Sequence, residues 1–143
     1  MLAAMPWYLY LVGALGLALL MIVHEGGHFL AARAYGMRVT KFSIGFGPEL
    51  FGWNDSHGTR WKFSLIPLGG YVKMYGEGDE PEVAEETVKR FQARGLPVPA
   101  PEESFHNKTV GQRAAIVAAG PAANYIFAVL VFAALFATIG QRV

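Results

Sequence analysis

Apolar and polar positions divide the chain into four stretches. The first is apolar from Ala3 to Ala32 and is interrupted only by His24-Glu25-Gly26-Gly27-His28. The last, Ala114 to Gly140, contains no charged residue. About 20 helical residues cross a hydrocarbon core of about 30 Å, so both stretches predict transmembrane helices. A signal peptide does not account for the first, because no Lys or Arg precedes Arg33 and the apolar run is too long. A buried core helix does not suit the second, which has almost no polar face. Between them the period changes to two. Phe42, Ile44 and Phe46 alternate with Ser43 and Gly45, and Trp61, Phe63 and Leu65 alternate with Arg60, Lys62 and Ser64. That alternation predicts strands. Asn54 to Gly58 reads as a hairpin loop and Pro67-Leu68-Gly69-Gly70 as a second turn. The expectation is an antiparallel sheet of three or four short strands, too apolar on one face to stand alone in water.

The predicted fold is an α-helical membrane protein with a small β insert. Two transmembrane helices flank a membrane-associated antiparallel β-hairpin sheet. Its segments are 1–36 (first helix), 37–75 (sheet), 76–104 (acidic, proline-rich loop) and 105–143 (interfacial lead and second helix). Within the loop, Val83, Val88 and Phe91 suit one short amphipathic helix, and the remainder reads as a mobile, solvated connection. Asn107 and Thr109 are the candidate N-caps of the second helix.

Composition agrees. Of the 143 residues, 53% are hydrophobic and only 16% charged, which is charge-poor for a soluble domain. The formal net charge of +1 gives no basic face of the kind nucleic-acid binding requires. There is no cysteine, so disulfides and thiolate-held zinc are excluded and any metal must take nitrogen and oxygen ligands. All Lys and Arg except Arg142 fall between Arg33 and Arg113. The positive-inside rule then places the loop 33–113 in the cytoplasm and both ends of the chain outside.

The interruption at 24–28 carries the candidate chemistry. Ionisable groups in an apolar helix are costly and call for a compensating partner. Residues i and i+4 share a helix face, so His24 and His28 can hold one metal ion, with Glu25 beside the first ligand as a base towards a water at the metal. Zinc suits this chemistry, although imidazole and carboxylate also suit other divalent ions. Gly26 and Gly27 lower helix propensity and let a neighbouring helix or a substrate backbone come close. His24 lies nine residues before Arg33, about 14 Å deep, and Asn124 lies eleven after Arg113, about 16 Å deep. Gly120 and Asn124 therefore present one face at the depth of the histidines, next to a kink expected at Pro121.

HEGGH, KFSIGFGPEL, LIPLGGYVKMYGE and FHNKTVGQRAAIVAAGPAANYIFAV, in that order, resemble the site-2 protease family of intramembrane zinc metalloproteases. The resemblance implies regulated cleavage of single-pass transmembrane proteins, such as anti-sigma factors, in a bacterial inner membrane. It implies Zn2+ on His24 and His28, Glu25 as the catalytic glutamate, and Gly45, Phe46, Gly47 and Asn124 as substrate-binding residues. It also implies a third zinc ligand, an aspartate in a later Leu-Asp-Gly helix, and a PDZ region. This chain offers only Asp55 and Asp79, neither in an apolar helix. The expectation is an N-terminal portion, inactive by itself and partnered by a C-terminal half, the bilayer and a transmembrane substrate. A non-enzymatic membrane module that binds transmembrane partners through its sheet edge is the alternative.

Overall fold

The computed structural model describes residues 5–78 and 81–140, those at 81–84 by their backbone alone. Asp79 and Arg142 lie outside the described residues. The element order is α1 (Trp7–Ala34), β1 (Val39–Asn54), β2 (Arg60–Met74), α2 (Pro81–Ala93), two short 3-10 turns, and α3 (Val110–Ile139). Both α1 and α3 are long and apolar enough to cross a membrane, by length and composition. Trp7, Leu15 and Leu17 on α1 and Tyr125, Leu130 and Phe132 on α3 are exposed.

The helix ends follow local chemistry. The Gly36 amide donates to the Arg33 carbonyl at 3.0 Å and the Met37 amide to the Ala32 carbonyl at 2.8 Å. This pair of bonds closes α1 and needs the left-handed backbone of Gly36, at φ +65°. Thr109, not Asn107, caps α3. The Gln112 amide donates to Thr109 Oγ1 at 3.2 Å, and the Thr109 amide donates to Gln112 Oε1 at 3.1 Å. This reciprocal cap lets α3 begin at Val110, ahead of its apolar run, and the helix continues through Pro121 without a break.

The sheet has two long strands in place of three or four short ones, but their register doubles back. Ile44 has both Gly70 and Phe63 as partners, and Ser43 has both Tyr71 and Lys62. The first half of β1 therefore lies between the two halves of β2, and the second half, from Glu49 to Asn54, pairs outward with Ser64 to Arg60. Along the inner ladder, 41 to 44 against 60 to 63, the partner numbers rise together, so those segments run in the same direction. The outer ladders are antiparallel. Pro67–Gly69 forms an irregular reversal inside β2 rather than a turn between separate strands.

One face of the sheet makes the core. Phe42 stacks on Trp61 at 4.6 Å between ring centroids, and Phe29 of α1 meets both edge-on at 5.6 and 5.0 Å. Ala32, Met37, Val39, Met74 and the fully buried Ile116 of α3 complete it. Asp55 ties the hairpin loop to α1. Its carboxylate accepts from Arg33, from Trp61 Nε1 at 3.0 Å, and from the amides of His57 and Thr59 at 2.9 and 3.0 Å. Burial pushes this carboxyl up, but Trp61, the Thr59 amide, Arg33 and the His57 amide together hold it below the ordinary aspartate range. The acidic, proline-rich segment holds α2, of which Phe91 is buried. Its later part is stitched down rather than solvated throughout. Arg38 donates to Glu103 at 3.0 and 3.2 Å and to the carbonyls of His57 and Pro97.

Candidate active site

His24 and His28 occupy successive turns of α1 just above the core, where Phe29 and Ala32 fix the rotation of the helix. Their Nε2 atoms lie 3.1 Å apart and their rings are near perpendicular, at 77°. Two nitrogens on one tetrahedral zinc, each about 2.0–2.1 Å from the ion, stand about 3.3 Å apart. The observed spacing fits a shared ion with little adjustment.

The remaining ring nitrogens are held by α3. His28 Nδ1 lies 2.8 Å from the Ile116 carbonyl, an acceptor only, so Nδ1 carries the proton and Nε2 keeps its lone pair. His24 Nδ1 lies 3.3 Å from Asn124 Nδ2, while Asn124 Oδ1 is buried without a hydrogen-bond partner among the described residues. With Nδ2 donating, His24 Nδ1 is the acceptor and its Nε2–H points at His28. A half-turn of the amide brings Oδ1 to His24 Nδ1, moves the proton there, and frees Nε2. The orphaned oxygen is what a metal-loaded His24 requires.

Gly120 leaves the space in front of the nitrogens. A Cβ at this position would overlap His28 Nε2 and stand 2.7 Å from His24 Nε2. Gly27 serves the same close approach from α1, since a Cβ there would overlap the Ala119 carbonyl and meet the Ala123 methyl at 2.7 Å. Gly26 has open space around it, so the two glycines of HEGGH divide their work. Glu25 is half-buried beside His24 and has no hydrogen bond or ion pair among the described residues, which leaves it able to take a proton.

His24, His28, Gly120 and Asn124 thus form one cluster. Gly45, Phe46 and Gly47 sit at the reversal of β1, flanked by β2 on the inner side, with the two glycines at φ +91° and +85°. The Phe46 ring lies against Gly69, which is also close to Met21 of α1. The open edges are Glu49–Asn54 and Gly70–Met74, as the register requires. The Ile116 carbonyl is the contact that sequence reasoning missed. A backbone acceptor has no residue signature, and only the helix pairing reveals it. Among the described residues no group of three His, Cys, Asp or Glu could hold a metal. Asp55 is engaged with Arg33 and Trp61.

A pair of imidazoles and a glutamate in an apolar helix, backed by a second helix, are groups that a metallopeptidase could use. The comparisons give the family. Residues 12–143 match peptidase family M50, and the chain belongs to this family of site-2 proteases. It is 48% identical to a presumptive zinc metalloprotease of Rhizobium meliloti (strain 1021), covering 96% of this chain and 34% of the relative. A presumptive zinc metalloprotease of Agrobacterium fabrum is also 48% identical, over 89% of this chain and 33% of its own length. The regulator of sigma-E protease RseP of Salmonella typhimurium (strain 14028s) is 49% identical, over 85% of this chain and 24% of its own length. The chain therefore spans about a third or less of the curated relatives it matches.

Proposed function

We propose that the chain forms the zinc-binding and substrate-admitting part of an intramembrane metalloprotease that cuts single-pass membrane proteins of the anti-sigma-factor kind. The observation that carries this reading is the pair of Nε2 atoms 3.1 Å apart on an apolar helix, with Glu25 alongside. The name of the Salmonella relative supports a regulatory substrate. In this reading α1 and α3 span a bacterial inner membrane, residues 33–113 face the cytoplasm and both ends of the chain lie outside.

His24 and His28 hold the metal. Zinc, when bound, supplies a Lewis acid for the scissile carbonyl and lowers the pKa of a water. Glu25 takes the proton of the attacking water and returns it to the leaving amine. The Ile116 carbonyl holds His28 in the tautomer that ligation needs, and Asn124 does the same for His24 once its amide turns to present Oδ1. A helical peptide bond is shielded, so the substrate must be extended before attack. Gly45–Phe46–Gly47, at the reversal of β1, and Asn124 receive it in that form. In this reading a C-terminal half with a PDZ region supplies an aspartate as third ligand.

The test is cleavage of a transmembrane reporter with a C-terminal half supplied. Glu25→Gln should retain zinc and lose at least about 100-fold in rate. Cleavage by this variant at the wild-type rate would falsify the assigned mechanism. The other reading is a membrane module that binds transmembrane partners through its sheet edge without cutting them. Absence of zinc from the chain both with and without the added half would select it.

A further inference from the structure

The register makes two connections cross at one end of the sheet. Residues 41–44 and 60–63 run side by side in the same direction, so both reach the same end. From there β1 continues to 49–54, on the far side of 60–63, while β2 continues to 70–74, on the far side of 41–44. The segments 45–48 and 65–69 therefore pass across each other. Chain connections ordinarily avoid crossing at one end of a sheet.

The crossing is tight. A Cβ at Gly45 would stand 2.7 Å from the Ile66 carbonyl oxygen and 3.1 Å from that of Ser64, and a Cβ at Gly69 would stand 2.6 Å from the Phe46 ring. Each connection carries a glycine where it meets the other.

Two buried hydroxyls lie beside the crossing. Ser43, 1% exposed, and Ser64, 5% exposed, stand where the two parallel segments enter their connections. Ser43 Oγ donates to the Gly45 carbonyl at 2.9 Å. A serine has one hydroxyl proton, so the 3.3 Å contact between the two Oγ atoms is a bond donated by Ser64. The relay from Ser64 through Ser43 ends on the first residue of Gly45–Phe46–Gly47. Buried polar groups of this kind are costly to leave unpaired.

We propose that Ser43 and Ser64 are positioning residues for the substrate. They fix the crossing, and with it the one shape of Gly45–Phe46–Gly47 that receives an extended chain. Both act through the Gly45 carbonyl. This rests on the role given to that segment above.

The test measures kcat and KM on the transmembrane reporter, with a C-terminal half supplied, alongside thermal unfolding. Ser43→Ala leaves the Gly45 carbonyl and the Ser64 hydroxyl without their partner and should raise KM about fivefold or more, with kcat within about twofold of wild type. Ser64→Ala keeps the bond to Gly45, is the milder change for folding, and should raise KM about two- to threefold. The double variant should match Ser43→Ala, because Ser64 acts only through Ser43. Thr59→Val is the control for stability. It removes an equally buried hydroxyl, bonded to the Val39 carbonyl at 2.7 Å at the opposite end of the sheet. It should lower the melting temperature as Ser43→Ala does and leave KM unmoved. An unchanged KM in both serine variants would overturn the proposal. So would an equal rise in Thr59→Val, which would reduce the effect to lost stability. A fall in kcat at unchanged KM would place the crossing in the chemical step and overturn it too. If the wild type cut no reporter, the proteolysis reading would fail and take this proposal with it; wild-type cleavage with KM unmoved in the serine variants sinks the proposal alone.

Discussion

Gly120→Ala is the sharpest probe of the site, because its effects on stability and on metal binding differ in size. A carbon needs about 3.5 Å from its neighbours. The new methyl would stand 2.7 Å from His24 Nε2 and closer still to His28 Nε2. Relief at His24 alone takes a shift of about 0.8 Å. Overpacking of this kind costs about 1–3 kcal/mol, and the better helix propensity of alanine returns about 1 kcal/mol. The net loss of stability should be about 1 kcal/mol, and the chain still folds. Zinc affinity should fall by more than about 100-fold, beyond the loss from deleting an outer hydrogen-bond partner, since the methyl fills the space before both nitrogens. The assay is competition with a chromophoric chelator on the detergent-purified chain, with and without a co-expressed C-terminal half. Thermal unfolding is followed in parallel. Gly26→Ala, in open space, is the control and should leave zinc binding unchanged. If Gly120→Ala held zinc as tightly as the wild type, the histidines would not share an ion on the α3 side.

Two further substitutions test the supporting contacts. Asn124→Leu removes the acceptor for His24 Nδ1 and should weaken zinc binding about 10–100-fold, whereas Asn124→Asp keeps an acceptor and should stay near wild type; equal affinity of all three would refute the tautomer argument. Asp55→Ala unties the hairpin from Arg33 and Trp61 and should cost about 2 kcal/mol at pH 7, the half-exposed ion pair adding little to the lost hydrogen bonds. The Asp55 carboxyl titrates below its ordinary value of 3.8, so its stabilisation is present above that pH and lost as pH falls through the lower folded value. Unfolding of the wild type should therefore converge on that of Asp55→Ala in acid; a constant gap down to pH 2 would contradict the assigned bonds.

What could be read from the sequence was whatever had a period or a spacing. The two apolar helices, the strand alternation at 42–46 and 60–65, the hairpin loop at Asp55 and the cap at Thr109 each leave a local signature. So did the common depth of His24 and Asn124, which comes from counting along two helices, and their contact in the structure follows from it. The doubling-back of β1 and β2 was out of reach, because register between distant segments has no local signature, and the alternation fits two long strands as well as four short ones. The hold of Arg38 on Glu103 and Pro97 was hidden for the same reason, its partners being 65 and 59 residues away.

The site and the sheet are coupled through one buried side chain. Ile116 contributes its side chain to the core with Phe29 and Phe42 and its carbonyl to His28 Nδ1. The α3 turn that sets the His28 tautomer is thus anchored in the same core as the sheet. Substrate held along the sheet edge would press on the same core that orients the ligands. Binding and ligation would then be linked without a separate relay, because two packed helices and a sheet share one set of buried residues at the end of α1.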